Sequence, residues 1–399
     1  MRKLILLGIF AAMSANAGAV ERITVEQLEQ KLAALFAPPP ADLSSKGEAN
    51  AETDLLRELN QDFDISHDSD QASQIDAFEL TERLTSGMLE KLSAKYKLGL
   101  QTELSLEQLA DRSALLDPPV DELPDMAPPD ADSQRKMVNA AGVFVFQVLS
   151  RLPNFFATRT TTRFDDGHIS ANGGFLLVQP GLHLVGRSSR EITFRDGKEV
   201  IDPMKTERVM PGIPEMGLAS QGEFGPEPAI VLFDLAKGTL KFHHWEQMPA
   251  GLAAVFRYSV PKAGSHYEVN YSCNARVSFN DSPGYHGSLA IDPSTGAILR
   301  ITLEADSKKG DPISHIASVI EYGSVQIGGR KYICPLRSLA FMVEDANSCS
   351  SYSPKAKLLQ PVTMLNQTTF TDYHRLGTTL KVITEPDGTP AAAPASPNP

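Results

Sequence analysis

Apolar and polar side chains alternate along the second half of the chain, most regularly from Gly287 to Ala305. Such a period of two is typical of a strand with one buried face. In the middle, Pro293 presets φ for a turn and Gly296 is free to take positive φ. The pattern predicts a hairpin with one apolar face, which carries Leu289, Ile291, Leu299, Ile301 and Leu303, while Ser288, Arg300, Thr302 and Glu304 face the other way.

Further strands are predicted by the same alternation over most of the chain from Phe155 to Ile383. The dipeptides Asp196-Gly197 and Gly328-Gly329 are typical of tight hairpin turns. One stretch without alternation precedes a predicted helix from about Glu227 to Lys237. This part of the chain therefore predicts an antiparallel sheet.

Helical spacing dominates before Pro153. Thr24 and Gln27 form a plausible capping box at the start of a short amphipathic helix. Apolar residues recur every three or four positions within residues 75–116, and Arg135 to Leu152 predicts one more helix with a strongly apolar face. The predicted fold class is α+β.

Changes of composition divide the chain into seven segments. We predict a signal peptide at 1–17, a short amphipathic helix at 18–41, an acidic linker at 42–74, a helical region at 75–116, a proline-rich linker at 117–134, a β domain at 135–384 and a disordered tail at 385–399.

The first residues predict export. Arg2 and Lys3 precede a short apolar run, and Ala15-Asn16-Ala17 follows it as a cleavage site. The run is shorter than the roughly 20 residues that span a membrane. We therefore expect a periplasmic or secreted protein that is not membrane-spanning.

Negative charge is concentrated in the first third of the chain. The net charge is −12, and from Leu43 to Asp132 there are 21 acidic against 7 basic residues, a balance of −14. This distribution offers neither the basic surface that nucleic acid requires nor a polybasic patch for anionic lipid. We expect no nucleic-acid partner.

The hairpin sequence G-x-L-x-I-D-P-x-T-G-x-I-L-R and the later IGGRKYICP segment, behind a helix and a long meander, resemble the outer-membrane lipoprotein carrier and its relatives, including the sensor domain of the envelope-stress regulator. The resemblance covers about Arg135 to Ile383. It implies a curved antiparallel half-barrel that wraps a helix and offers an apolar concave face to acyl chains or protein segments. It transfers no individual site residue.

Three other segments, FELTERL, RLPNFFATR and GEFGPEPA, resemble a group of secreted bacterial proteins to which no activity is assigned. This second resemblance implies an envelope location and adds no chemistry.

Large apolar residues of the alternating strands are the candidate ligand-lining set. Together they offer more large side chains than one apolar helix face covers, so part of the sheet face is predicted to bind a ligand. The alternative is that all of them form an ordinary core. The set comprises Phe194, Leu240, Phe242, Phe256, Tyr258, Leu289, Ile291, Leu299 and Ile301.

The segment His243-His244-Trp245-Glu246 is the best candidate for metal chemistry. On a regular strand His244 and Glu246 share one face and His243 takes the other, beside Trp245 as a packing residue. A third ligand would have to come from His266, His286 or His374. We therefore expect no metal and no cofactor. The hydrolase and metalloprotease motifs Gly-x-Ser-x-Gly and His-Glu-x-x-His are absent, which favours a non-enzymatic protein.

Three cysteines in an exported chain leave one unpaired. The spacing favours a Cys334–Cys349 bridge with Cys273 free. Pairing of Cys273 with Cys334 is the alternative.

Three functional hypotheses follow. The first is an exported non-enzymatic envelope protein that binds an apolar ligand, either a lipid or a lipidated protein, in the half-barrel. The alternative is a periplasmic interaction or structural protein with a filled barrel, and an unrecognised hydrolase or metal enzyme is the least favoured. An empty concave face favours the first hypothesis and a filled one the second.

Overall fold

A computed structural model describes residues 20–37, 67–166, 181–200, 208–209, 218–273, 276–345, 349–350, 353–357 and 361–376. The predicted signal peptide and C-terminal tail lie outside these residues. The fold is α+β, as the sequence predicts. Most of the helices precede the large antiparallel sheet in the chain. Within the described part of the chain, no helix is long and apolar enough to cross a membrane.

The helical region contains β1 (Glu21–Ile23), α1 (Val25–Leu35), α2 (67–76), β2 (Phe78–Leu80), α3 (Ser86–Lys95) and α4 (Leu100–Arg112). The short strands β1 and β2 pair in parallel. The predicted capping box is confirmed, because Thr24 accepts from Gln27 N–H and the Gln27 side chain accepts from Thr24 N–H. Residues 67–74, predicted as linker, are instead helical, and Ala72 is buried.

The sheet is built from strands of the second half. They are β3 (Phe155–Asp165), β4 (His183–Arg195), β5 (Lys198–Val200), β6 (Arg208–Val209), β7 (Thr239–Met248), β8 (Gly251–Val260), β11 (Tyr285–Ile291), β12 (Ile298–Ala305), β13 (Ile313–Ile327), β14 (Arg330–Glu344) and β17 (Val362–Arg375). The spatial order is β5-β4-β3-β17-β14-β13-β12-β11-β8-β7, with β6 beside β4. Two separate antiparallel pairs are β9 (Val269–Cys273) with β10 (Arg276–Asp281), and β15 (Cys349–Ser350) with β16 (Ser353–Lys357).

All three predicted hairpin turns are confirmed. Leu289 pairs with Ile301, and Asp292 N–H donates to Ala297 O over 2.9 Å across the turn. Positive φ occurs at both central residues of the other two turns, Asp196-Gly197 and Gly328-Gly329, which is the conformation that matches the twist of a two-residue hairpin.

Two helices pack on one face of the sheet. They are α5 (Ala131–Val143), which continues as a π turn (Phe144–Val148) and a 3-10 turn (Leu149–Arg151), and α6 (Pro226–Asp234) with its own 3-10 turn (Leu235–Lys237). The sequence places the start of α5 at Arg135, but the helix begins at Ala131 because Asp130 accepts from Ser133 N–H. We call the sheet face with Leu289 and Ile301 the inner face, and the face with Arg300 the outer face.

The inner face is filled by these helices. Met137, Ala141, Phe144, Val145 and Leu149 of α5 and its continuation form one buried cluster with Val231 of α6 and the inner-face strand residues. Phe155 and Phe194 stack at 5.1 Å between ring centres, and Phe224 packs against both. The half-barrel therefore has a core made of its own chain.

The helical region packs on the outer face. Ala114 and Leu115, which follow α4, pack against a buried apolar group on the outer side of the strands, formed by Phe164, Leu182, Ala317, Val319, Leu339, Phe341 and Leu365. The proline-rich segment 117–134 is also held to the sheet, since the Trp245 indole N–H donates to Ala127 O over 2.9 Å. The domain boundaries drawn from the sequence stay predictions.

The predicted Cys334–Cys349 bridge is not formed, because Cys334 is a free and fully buried thiol. Cys334 lies near the start of β14, and ten more residues separate it from the strand's end at Glu344. At ~3.3 Å per residue that end is about 33 Å away. Five further residues cannot lead back that far, since they span at most ~18 Å.

We expect Cys334 to resist alkylation in the folded protein. Burial raises its pKa to about 12, so almost no reactive thiolate exists near neutral pH. Iodoacetamide at pH 8, followed by peptide mass spectrometry, should label Cys334 only after unfolding in guanidinium. Rapid labelling under native conditions, or a Cys334 disulfide in exported material, contradicts this.

A buried polar cluster interrupts the inner face near α6. Glu223 lies 3.1 Å from Arg159 Nη2 and accepts from Ser338 Oγ over 3.2 Å, while Glu227 accepts from Ser318 Oγ. Burial raises the pKa of Glu227 to about 7, and the neighbouring Glu223 adds to this, against the Ser318 hydrogen bond. The GEFGPEPA segment thus supplies two acidic groups to the interior.

We predict that Glu227 makes stability fall as pH rises. Its folded pKa lies above the ordinary 4.5, so the folded state holds the extra proton between pH 4.5 and about 7. This contribution to the free energy of unfolding is fully present below pH 4.5. It is lost above pH 7, which lowers the free energy of unfolding by about 3 kcal/mol. Unfolding free energies of wild type and Glu227→Gln at pH 4 and pH 8 measure it.

From pH 4 to pH 8, the unfolding free energy of Glu227→Gln should rise by that amount relative to the unfolding free energy of the wild type. Glu26→Gln, in the exposed first turn of α1, is the control and should leave the profile unchanged. Parallel profiles for wild type and Glu227→Gln would exclude the buried carboxyl as the cause.

Candidate functional site

A cavity of about 630 Å³ lies between the helical region and the outer face of the sheet. Its wall on the helical side is the start of α3, around Met88, together with the end of α4. The turn from β7 to β8 closes one side, and the floor is formed by side chains of β12, β13 and β14, which are Arg300, Glu321, Leu336 and Arg337. The helical side of the lining is mixed, with Leu84, Met88 and Leu89 beside Glu90 and Lys91, and the sheet side is mostly charged.

Backbone hydrogen bonds fix the entry into α3. Arg83 N–H donates to Asp117 O over 2.7 Å, and Leu84 N–H donates to Ser113 Oγ over 3.0 Å. Thr85 caps α3 by accepting from Met88 N–H and donates its hydroxyl proton to Glu122 over 2.6 Å. The Arg83 side chain is thereby directed from the helical region towards the sheet.

Glu246 is the buried centre of the charged floor. Arg83 Nη2 lies 2.6 Å from Glu246 Oε1, and Arg300 reaches both carboxylate oxygens at 3.3 and 3.4 Å. Burial alone raises the pKa of Glu246, but the hydrogen bond from His244 and the charge of Arg83 outweigh burial and hold it below its ordinary value. Glu246 is therefore ionised at neutral pH.

Two arginine N–H groups at the cavity have no partner among the described residues. Arg83 Nη1 and Arg300 Nε are buried without a hydrogen bond, although both residues are 5 to 6% exposed and line the cavity. A buried donor without an acceptor costs about 1–3 kcal/mol. The two donors can be satisfied by an acceptor that enters the cavity.

A second ion pair borders the cavity where α4 meets the sheet. Asp111 is buried and contacts Arg337. Burial raises the pKa of Asp111 to about 6, against the opposing charge of Arg337. This pair and the Glu246 cluster hold the helical region to the sheet at two points.

The nine predicted ligand-lining residues lie on the inner face, away from the cavity. Seven of them belong to the buried core, and the other two, Leu240 and Phe242, are partly buried and pack against it. None of the nine borders the cavity. Their role as ligand-lining residues stays a prediction, since it requires a ligand to take the place of side chains from α5.

The predicted arrangement of His243-His244-Trp245-Glu246 is wrong in one respect. The pairing of β7 with β8 shifts between Phe242 and His244, which marks a β-bulge. The extra residue breaks the alternation. His243 contacts Asp117 and His244 contacts Glu246 on the outer side, while Trp245 packs against Phe242, as expected of a packing residue.

The other histidines considered from sequence lie elsewhere. His266 pairs with Asp234, and His286 lies between Glu304 and Asp306. His374 is an exposed residue of β17. Arg83 and Asp117 have partners more than a hundred residues away along the chain, and Arg300 lies 54 residues from Glu246, so no local motif indicates these contacts.

Comparison with known proteins finds no matching family model and no matching curated protein. Two solved structures are similar in part. One is a DUF1329 family protein from Desulfovibrio piger, 9% identical with a TM-score of 0.26, covering 61% of this chain and 94% of the other. The second is a domain named for outer membrane lipoprotein sorting, from Vibrio parahaemolyticus, 12% identical with a TM-score of 0.27, covering 62% and 94%.

We predict that Arg83→Met destabilises the protein by about 2–4 kcal/mol, because it leaves Glu246 buried with less compensation. The matched control is Arg22→Met, which removes an exposed ion pair with Glu79 and should cost less than about 1 kcal/mol. Urea unfolding of the three proteins gives both values. Equal costs for the two variants would show that the buried pair does not hold the helical region in place.

Proposed function

We propose that the protein is an exported, non-enzymatic binding protein whose ligand is a single-chain amphiphile with an anionic head group. The observation that carries this proposal is the outer-face cavity, where apolar side chains face two buried arginines with unpaired N–H groups. The apolar tail lies along the helix side and the head group accepts from the arginines.

The size of the cavity supports a small ligand. Its volume of about 630 Å³ lies within the range of small-molecule sites, roughly 300–1,000 Å³. Leu84, Met88 and Leu89 line the helical side and Leu336 the sheet side, while the arginines Arg300 and Arg337 line the sheet side. This is the composition expected where burial provides affinity and hydrogen bonds provide orientation.

The two unpaired arginine donors favour an acid over a neutral or cationic head, against the partly buried Glu122 carboxylate that also lines the cavity. The carboxylate of Glu246 is already engaged by Arg83 and Arg300, so it offers little to a cation. The unpaired atoms of the same two arginines are donors only. A carboxylate or phosphate supplies the acceptors that they lack.

The alternative is an interaction protein with a filled barrel, and one observation favours it. The helix that fills the inner face also carries exposed apolar side chains, Val143, Phe146 and Val148, each about half exposed. Such a face is suited to contact with a protein partner. The export predicted from the first residues is compatible with both proposals.

The test is binding of hexadecanoate to the tag-free protein, measured by titration calorimetry, with hexadecanol as the neutral comparison. We expect hexadecanoate to bind and hexadecanol to bind at least tenfold more weakly, because only the acid pairs with the arginines. Gly87→Leu should weaken hexadecanoate binding at least tenfold, since Gly87 lines the cavity and a Cβ there meets no atom within 4 Å.

Gly142→Leu is the matched control. Gly142 is also helical, also has no atom within 4 Å of an added Cβ, and does not line the cavity. It should bind hexadecanoate as the wild type does. If Gly87→Leu binds normally and Leu299→Lys does not, the ligand occupies the inner face, and if neither ligand binds the wild type, the interaction-protein alternative gains.

A further inference from the structure

The β-bulge in β7 brings two imidazoles to the same face of the sheet. His243 is the additional residue between the pairs Phe242–Phe256 and His244–Val255. The two rings lie 4.8 Å apart between their centres at an angle of 64°. A regular strand holds adjacent side chains on opposite faces, so this arrangement depends on the bulge.

Asp117 completes a group of three ligand-type side chains. Its Oδ2 lies 3.2 Å from His243 Nε2, and one ligand atom from each of Asp117, His243 and His244 lies within 4.8 Å of the other two. The main chain of Asp117 is held by the hydrogen bond from Arg83 N–H. The carboxylate is therefore positioned by the same contact that fixes the entry into α3.

The three residue types match what a divalent transition metal binds. Two neutral imidazoles with one carboxylate are a common set for zinc and for the neighbouring metals of the first row. About half of the Asp117 side chain and a third of the His243 side chain are exposed, while His244 is nearly buried. The open side faces solvent and leaves room for water as a further ligand.

A second carboxylate lies behind His244. Glu246 Oε2 is 3.4 Å from His244 Nε2. Histidines that bind metals commonly donate their other ring N–H to a carboxylate, which fixes the tautomer and the ring orientation. Glu246 serves this purpose without leaving its ion pairs with Arg83 and Arg300.

We propose that Asp117, His243 and His244 bind one divalent transition metal ion of the zinc class on the outer face of the sheet. The site is separate from the amphiphile cavity, which none of the three residues lines, and Glu246 borders both. Because Asp117 belongs to the segment after α4 and the histidines to β7, the metal joins the helical region to the sheet. Metal binding should therefore protect residues 117–134 from proteolysis.

Arg257 is the competitor for this site. Its guanidinium contacts Asp117 Oδ2 in the structure. A metal ion has to share or replace the arginine, and Arg257→Gln should therefore bind metal several-fold more tightly than the wild type.

The experiment uses the tag-free, chelator-treated full chain titrated with Co²⁺, followed by visible absorption, with Zn²⁺ added afterwards as a competitor. We expect one Co²⁺ per chain and its displacement by Zn²⁺. His243→Ala and His244→Gln should each weaken binding at least tenfold and abolish the protection from proteolysis. Thermal melting of the metal-free variants checks that both still fold.

His286→Ala is the matched control, since His286 also lies beside two carboxylates, Glu304 and Asp306, on the same sheet. It should leave Co²⁺ binding unchanged. The proposal is overturned if millimolar Co²⁺ produces no saturable spectrum, or if folded His243→Ala and His244→Gln bind as the wild type does. Tighter binding by Arg257→Gln supports it, and weaker binding by that variant contradicts it, because a metal ion on Asp117 has to compete with the arginine.

Discussion

One buried carboxylate, Glu246, joins the two parts of this protein. It receives Arg83 from the helical region and Arg300 from the sheet, and all three side chains are less than a tenth exposed. An ion buried to this degree is stable only when its charge is compensated and its oxygens are hydrogen-bonded. The position of α3 over the sheet, the shape of the cavity beneath it and the orientation of His244 all depend on this one group.

The two faces of the sheet differ in the side chains that they carry. The inner face has the large apolar residues, and helices from the same chain cover them. The outer face has the arginines, the histidines and a cavity bounded by a separate helical region. An apolar concave face is the obvious place to expect a ligand, but here two arginine donors without a partner border a cavity on the opposite side.

Local features of the fold were predictable from the sequence, and long-range features were not. The hairpins, the capping box and the α+β class follow from turn residues and periodicity, which act over a few positions. The contact of Arg83 with Glu246 spans 163 residues, so no local pattern encodes it. The bulge at His243 changes the face of one residue without any glycine or proline to mark it, and the bridge from Cys334 failed because spacing along the chain ignores the direction of a long strand.

The sheet order also determines when the half-barrel can be completed. β17 comes last among its strands in the chain, yet it lies between β3 and β14, and its Thr368 is hydrogen-bonded to Thr161, 207 positions earlier. Until β17 is available, β3 and β14 are open edges, and such edges invite pairing with other chains. Contacts at this separation also form slowly, because a long loop must close first. Before β17 forms, the strands of the sheet therefore remain as two separate groups, one ending at β3 and the other at β14.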